Sequence, residues 1–183
     1  MELREEYVVN NETSIILPEF DENGQLQSVV MEKTELFRVK LEPTKLIDFS
    51  LRRYGSSLRG AKDGSRTLLG EISMPPIVLN LTQSIYLFPS MSPENEDCVW
   101  IAAAHVKEYK AIDKKQTKIV LNYGSEIILN SSHYSFDQKY NRAFKLKRQI
   151  EGQTPPGTVF ESKKGYSIRK KGKDRNYRGF DEE

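Results

Sequence analysis

Only one cysteine, Cys98, occurs among the 183 residues, and the histidines number two, His105 and His133. A single thiol cannot close an internal disulfide. With no second cysteine and no histidine at i, i+4, neither a cysteine zinc cage nor a helical ligand pair is available. Cys98 opens the apolar run "CVWIAAAHV" and reads as a small core hydrophobe, not a reactive thiol. His105 falls in a strand context, where a buried, hydrogen-bonded ring is expected, and His133 lies just ahead of a helix, where a surface ring is expected. Long apolar runs are missing too: no stretch approaches the ~18 residues of a membrane span. The acidic opening "MELREEYVVN" lacks the basic-then-apolar order of a secretory leader, so a cytoplasmic protein is expected. Nor is there a marked excess of charge of either sign, since 28 Lys and Arg against 26 Asp and Glu leave a formal net charge of +2.

The distribution of that charge is uneven. Residues 1–50 carry 5 basic and 11 acidic side chains, whereas residues 51–73 and 131–151 each carry 5 and 2, and residues 152–183 carry 8 and 5. A surface for a polyanion would therefore be local, assembled from three separate basic segments. Solvated loops and tails are often charged as well, and for any one segment alone that reading is the simpler.

The segment "LRRYGSSLRGAKDGSR" at 51–66 invites comparison with a phosphate-cradling loop. Such a loop needs G-x-x-x-x-G-K-[ST], because the lysine reaches the β and γ phosphates and the hydroxyl holds magnesium. Gly55 and Gly60 have that separation, but Ala61 stands in the lysine position, Asp63 replaces the hydroxyl, and a helix precedes the loop where a strand should. The mechanism is lost. Glu94, Glu96 and Asp97 in "PENEDC" supply carboxylates with no evident acid–base pairing. No enzyme and no cofactor are expected.

The remaining pattern is mostly strands. "EYVVN", "TSIILPEF", "LQSVVMEK", "LFRVKL", "RTLLGEIS", "PIVLN", "SIYLFPS" and "VWIAAAHVKEYKAI" are β-rich runs, and "TKIVLNYGSEIILN" reads as a hairpin turning at "NYG". Two helices are predicted. One, at about 43–54, opens at Pro43 and places Ile47, Leu51 and Tyr54 on one face, after which the chain runs into a loop at Gly55. The other, at about 136–150, takes Ser135 and Gln138 as a capping box. Its apolar arc comprises Phe136, Tyr140, Ala143, Phe144, Leu146 and Ile150, with Lys139, Arg142, Lys145 and Arg148 opposite. The expected class is α+β, with an antiparallel β-rich core and two helices in a domain spanning 1–151. A flexible basic tail, 152–183, follows, disordered by composition, in which "IRKKGKDRNYRGF" mixes cations with Tyr177 and Phe180.

"FSLRRYGSSLRGAKDGSR", "PPIVLN", "IYLFPSMS", "CVWIAAAHVKEYK" and "SSHYSFDQKYNRA", in this order and at these separations, closely resemble the ComK competence transcription factor family of Bacillus and its relatives, over about residues 5–150. The resemblance implies a cytoplasmic, nucleoid-associated activator of DNA-uptake genes. It would bind paired A/T-rich boxes of double-stranded DNA chiefly through the minor groove, as a dimer that assembles further on promoters. It also implies control by the adaptor MecA with ClpC and ClpP, although beyond Gly152 the apolar docking stretch of the best-known members has no counterpart. A/T-rich minor grooves are narrow and electronegative, which favours arginine. On that reading Arg52, Arg53 and Arg59 are groove or phosphate contacts, Ser56 and Ser57 offer small hydroxyls, and Lys62 and Arg66 clamp phosphates. Lys139, Arg142, Lys145 and Arg148 form a second basic surface. One of Arg52 and Arg53 is also suited to capping the helix end or pairing with the acidic N-terminal half. Rival readings are a protein-interaction module or decoy paralogue without strong DNA binding, a basic helix lying on an acidic membrane, and a nuclease, the last weakened by the missing metal cluster.

Overall fold

Neighbouring residues along the central strands point to opposite sides, and both sides are apolar, so the sheet they form must be covered twice. Ile15 and Ile16, Leu87 and Phe88, and Trp100 and Ile101 are all buried, and in each pair one member joins each of two separate cores. The structure, a computed structural model, describes residues 1–153; the expected flexible basic tail lies outside the described residues except for its first two positions.

The strands are β1 (Glu2–Arg4), β2 (Thr13–Phe20), β3 (Leu26–Glu32), β4 (Glu35–Val39), β5 (Ile77–Asn80), β6 (Ile85–Pro89), β7 (Trp100–Ala102), β8 (Val106–Ala111), β9 (Thr117–Leu121) and β10 (Glu126–Leu129). The helices are α1 (Pro43–Arg53), α2 (Leu58–Leu69) and α3 (His133–Glu151), with a 3-10 turn at Ala103–His105. Seven strands form one sheet in the order β1-β4-β3-β2-β7-β6-β5, and three form a second in the order β10-β9-β8. Every pairing is antiparallel except β1 with β4. This is the expected α+β class with a β-rich core.

On one side of the large sheet, Leu46, Ile47 and Leu51 of α1 pack against Ile16, Val30, Phe37, Leu87 and Trp100. Trp100 Nε1 donates to Thr44 Oγ1 at 3.2 Å, and that hydroxyl donates to the Pro93 carbonyl at 2.8 Å, fixing α1 to the β6–β7 loop. On the other side the small sheet and α3 close over Ile15, Phe88 and Ile101 with Val106, Ile119, Leu121, Phe136 and Ala143. The β9–β10 hairpin turns at Gly124, whose φ of 86° is open to glycine at no steric cost. Cys98 is buried and burial raises its thiol pKa, in keeping with a core role.

Three expectations are corrected. A third helix, α2, occupies 58–69, where a loop and then the strand "RTLLGEIS" were expected. Ser57 Oγ accepts from Gly60 N at 3.1 Å to start it, and Gly70 at φ 90° ends it. The segment "EYVVN" forms no strand and lies outside the sheet; its Val9 N–H is spent on Ser50 Oγ of α1 at 3.0 Å. Finally, α3 begins nearly one turn early: Ser132 Oγ, not Ser135, accepts from the backbone, at Ser135 N and 3.2 Å, and Gln138 Nε2 donates to Tyr134 Oη at 3.1 Å. The N-cap moves by three residues because "SSHYS" offers serines at 131, 132 and 135, and an extended residue 132 lets the helix gain its first turn.

Candidate nucleic-acid interface

The segment singled out for its cations is the end of α1, a tight turn and most of α2. Asp48 ties the two helices together: its Oδ1 accepts from Leu58 N at 2.8 Å and its Oδ2 from Arg52 Nε at 2.7 Å. These donors, the α2 backbone amide first, hold its carboxyl below the usual range. Tyr54 Oη donates to the Val9 carbonyl at 3.0 Å, and Gly55, at φ 81°, turns the chain.

Of the cations here, Arg53 and Arg59 face solvent, and the Arg59 side chain is 94% exposed, with a loose ion pair to Asp63 at 4.0 Å. The others are engaged. Arg52 pairs with Asp48, which meets the alternative of a partner in the acidic N-terminal segment. Lys62 is only 17% exposed and lies 3.5 Å from Glu94 of the β6–β7 loop. Arg66 lies 3.6 Å from Asp63, and its Nε donates to the Ile72 carbonyl at 3.5 Å. Ser56 is exposed, whereas Ser57 is committed to the α2 cap.

On α3 Phe136, Tyr140 and Phe144 go inward. Phe88 meets Phe136 at 5.6 Å between ring centroids, Tyr109 meets Phe136 at 4.8 Å and Tyr140 at 5.1 Å, and Tyr140 meets Phe144 at 4.8 Å. Tyr109 Oη donates to Asp137 Oδ1 at 2.7 Å, which together with burial pushes the phenol pKa up. Lys139 departs from the expected basic face. It is buried, its ammonium donates to the Ser90 carbonyl, and desolvation lowers its pKa. The helical arc that buries Phe136, Ala143 and Leu146 includes position 139, and the lysine stem is long enough to reach the end of β6.

Lys145 and Arg148 are exposed and Arg142 is half-buried, and among the described residues none of the three has a carboxylate within ion-pair distance. Asp137 is held by Tyr109, and Glu151 by Ser84 Oγ at 2.9 Å and Lys147 at 3.9 Å. Among the candidate cations, Arg53 at the end of α1 and Arg142, Lys145 and Arg148 on α3 are therefore without an ion pair, and Arg59 on α2, which packs against both helices, keeps only the 4.0 Å contact with Asp63. The sequence could not separate them from Lys62, Arg66 and Lys139, because the distinguishing carboxylates and carbonyls lie 32, 6 and 49 residues away in the chain.

His105 is half-buried where a buried ring was expected, though hydrogen-bonded as expected, and His133 lies at the surface. His105 Nε2 donates to the Asn11 carbonyl at 2.8 Å, and His133 is exposed with its ring 5.4 Å from Tyr109. Among the described residues no cluster of three or more His, Cys, Asp or Glu is placed to hold a metal, and no helix is long and apolar enough to cross a membrane.

A family model described as ComK protein matches residues 4–155. A competence transcription factor from Bacillus subtilis (strain 168) is 33% identical over 147 residues, covering 80% of this chain and 76% of that protein. No solved structure matches.

Proposed function

The chain belongs to the ComK family, and on that premise we propose that it is a DNA-binding regulator that activates transcription of competence genes, recognising A/T-rich boxes chiefly through the minor groove. Beside Arg59, which is 94% exposed and paired only with Asp63 at 4.0 Å, the observation that carries this reading is the set of basic side chains left without carboxylates, Arg142, Lys145 and Arg148 on α3 and Arg53 at the end of α1. A cation already paired must break that pair to meet a phosphate; these need not. Arginine also suits the narrow, electronegative groove of A/T-rich DNA. Lys62 and Arg66 are secondary contacts on this account, available once Glu94 and Asp63 release them. Lys139 is no contact at all.

Paired boxes call for two protomers, so the active species is a homodimer that assembles further on the promoter, in the cytoplasm at the nucleoid. Control by MecA with ClpC and ClpP belongs to the same reading; the C-terminal segment at which such an adaptor would dock is beyond the described residues. The test is a titration of labelled duplexes of equal length, A/T-rich and G/C-rich, with a minor-groove dye as competitor. Preferential, dye-sensitive binding to the A/T duplex is expected. Equal affinity for the two would contradict the groove reading, and no binding to either would favour a protein-interaction module or decoy paralogue.

A further inference from the structure

The outward side of α3 carries, beside its cations, a row of uncharged polar groups that a charge count does not register. Tyr134, Gln138 and Asn141 follow one another by four and then three residues, so they line one face of the helix. Tyr134 is 73% exposed, more than any other large apolar side chain among the described residues, and its ring has no aromatic partner there. Asn141 is exposed, Gln138 is half-buried, and the Gln138 Nε2 to Tyr134 Oη bond of 3.1 Å orients the amide. The row is flanked by Arg142, Lys145 and Arg148, and the helix's two carboxylates, Asp137 and Glu151, are both turned to other partners. Asn95 and Asn122, also exposed, bond backbone, whereas the exposed Asn11 and Asn23 make no side-chain hydrogen bond among the described residues. Asn141 has no such bond.

Resting on the DNA-binding reading above, we propose that Gln138 and Asn141 are the base-reading residues of this site, with Tyr134 packed beside them, while Arg142, Lys145 and Arg148 hold the flanking phosphates. The chemistry divides cleanly. A cation is drawn to every phosphate and so fixes position without reading sequence. A neutral amide N–H gains most where the base edge offers only acceptors, as A N3 and T O2 do in the minor groove, and meets a competing donor at the G N2 amino group. The exposed Tyr134 ring gives up its contact with water by lying against sugar and base edges at the groove mouth.

The test compares wild type with Asn141→Ala, Gln138→Ala and Arg148→Ala, each titrated against an A/T box and the same box with its central pairs changed to G·C, over a series of salt concentrations. Asn141→Ala should lose about tenfold in affinity for the A/T box, in the range of one base contact. It should bind the G/C box nearly as wild type does and keep the wild-type salt slope. Arg148→Ala should weaken both duplexes alike with a shallower slope. Unchanged unfolding midpoints establish that the fold is intact. If wild type discriminates and both amide variants keep its A/T preference, this inference fails alone. If wild type shows no preference, the functional reading fails and takes the inference with it.

Discussion

Asp48 holds a backbone N–H with one oxygen and a guanidinium with the other, and so decides whether α2 starts where it does. Replacing it with alanine removes both, at a cost of about 1–2 kcal/mol. Its pKa is depressed in the fold, so the stabilisation is fully present above the unfolded value of about 3.9 and is lost as pH falls through the lower folded value. Urea unfolding of wild type and Asp48→Ala should therefore converge in acid and differ at neutral pH. Lys139 gives the same direction of pH dependence from the opposite cause, a charged form that the fold disfavours. Burial disfavours its charged form, so the fold gains stability as pH rises from the depressed folded pKa toward the unfolded value near about 10.4. Lys139→Met should remove that gain from the difference between the two stability curves, be neutral or stabilising at pH 7, and leave DNA affinity unchanged. A loss of DNA binding in this variant, with the fold intact, would return Lys139 to the contact surface.

Among the elements, α2 is the one whose sequence argues against it. Gly60 and Gly64 each cost a helix about 1 kcal/mol relative to alanine. A Cβ at Gly64 would meet nothing within 4 Å, so Gly64→Ala should stabilise the protein by about 1 kcal/mol, read as a raised unfolding midpoint. In α3, Ser132→Ala should cost about 1 kcal/mol through the lost cap and Ser135→Ala much less, while Phe136→Ala should cost about 3–5 kcal/mol because its ring is 1% exposed among Phe88, Tyr109 and Tyr140. The reversed order for the two serines would restore the later helix start. These elements also show what the sequence could tell. Strands β2 to β7, the β9–β10 hairpin, α1 and the inward face of α3 follow from alternation, periodicity and turn residues, all local signals. The second helix was hidden because glycine and charge outweighed a weak apolar period at Leu58, Ala61, Ser65 and Leu68 and the cap at Ser57, signals that were there to read. The parallel β1–β4 pair and the burial of Lys139 depend on partners about 35 and 49 residues distant, where local patterns carry no information.

At the scale of the molecule, two apolar cores on either side of one sheet leave the helices to divide the remaining work, α1 closing one core and α3 the other. The acidic side chains of residues 1–50 belong mainly to β1–β4 and their turns, and the cations of the proposed DNA site to the helices. A near-neutral protein can in this way present a local basic surface to a polyanion. Each phosphate neutralised releases condensed counterions, so log affinity for duplex DNA falls with log salt by about 0.9 per contact. The decisive measurement is that slope for wild type and for the combined Arg142→Ala, Lys145→Ala and Arg148→Ala variant on one A/T-rich duplex. A slope shallower by about 2.7 is expected in the triple variant, with the unfolding midpoint little changed, since surface substitutions away from packed cores, caps and ion pairs usually move stability by within about 0.5 kcal/mol. An unchanged slope and affinity in a folded triple variant would contradict that expectation and move the DNA surface away from α3.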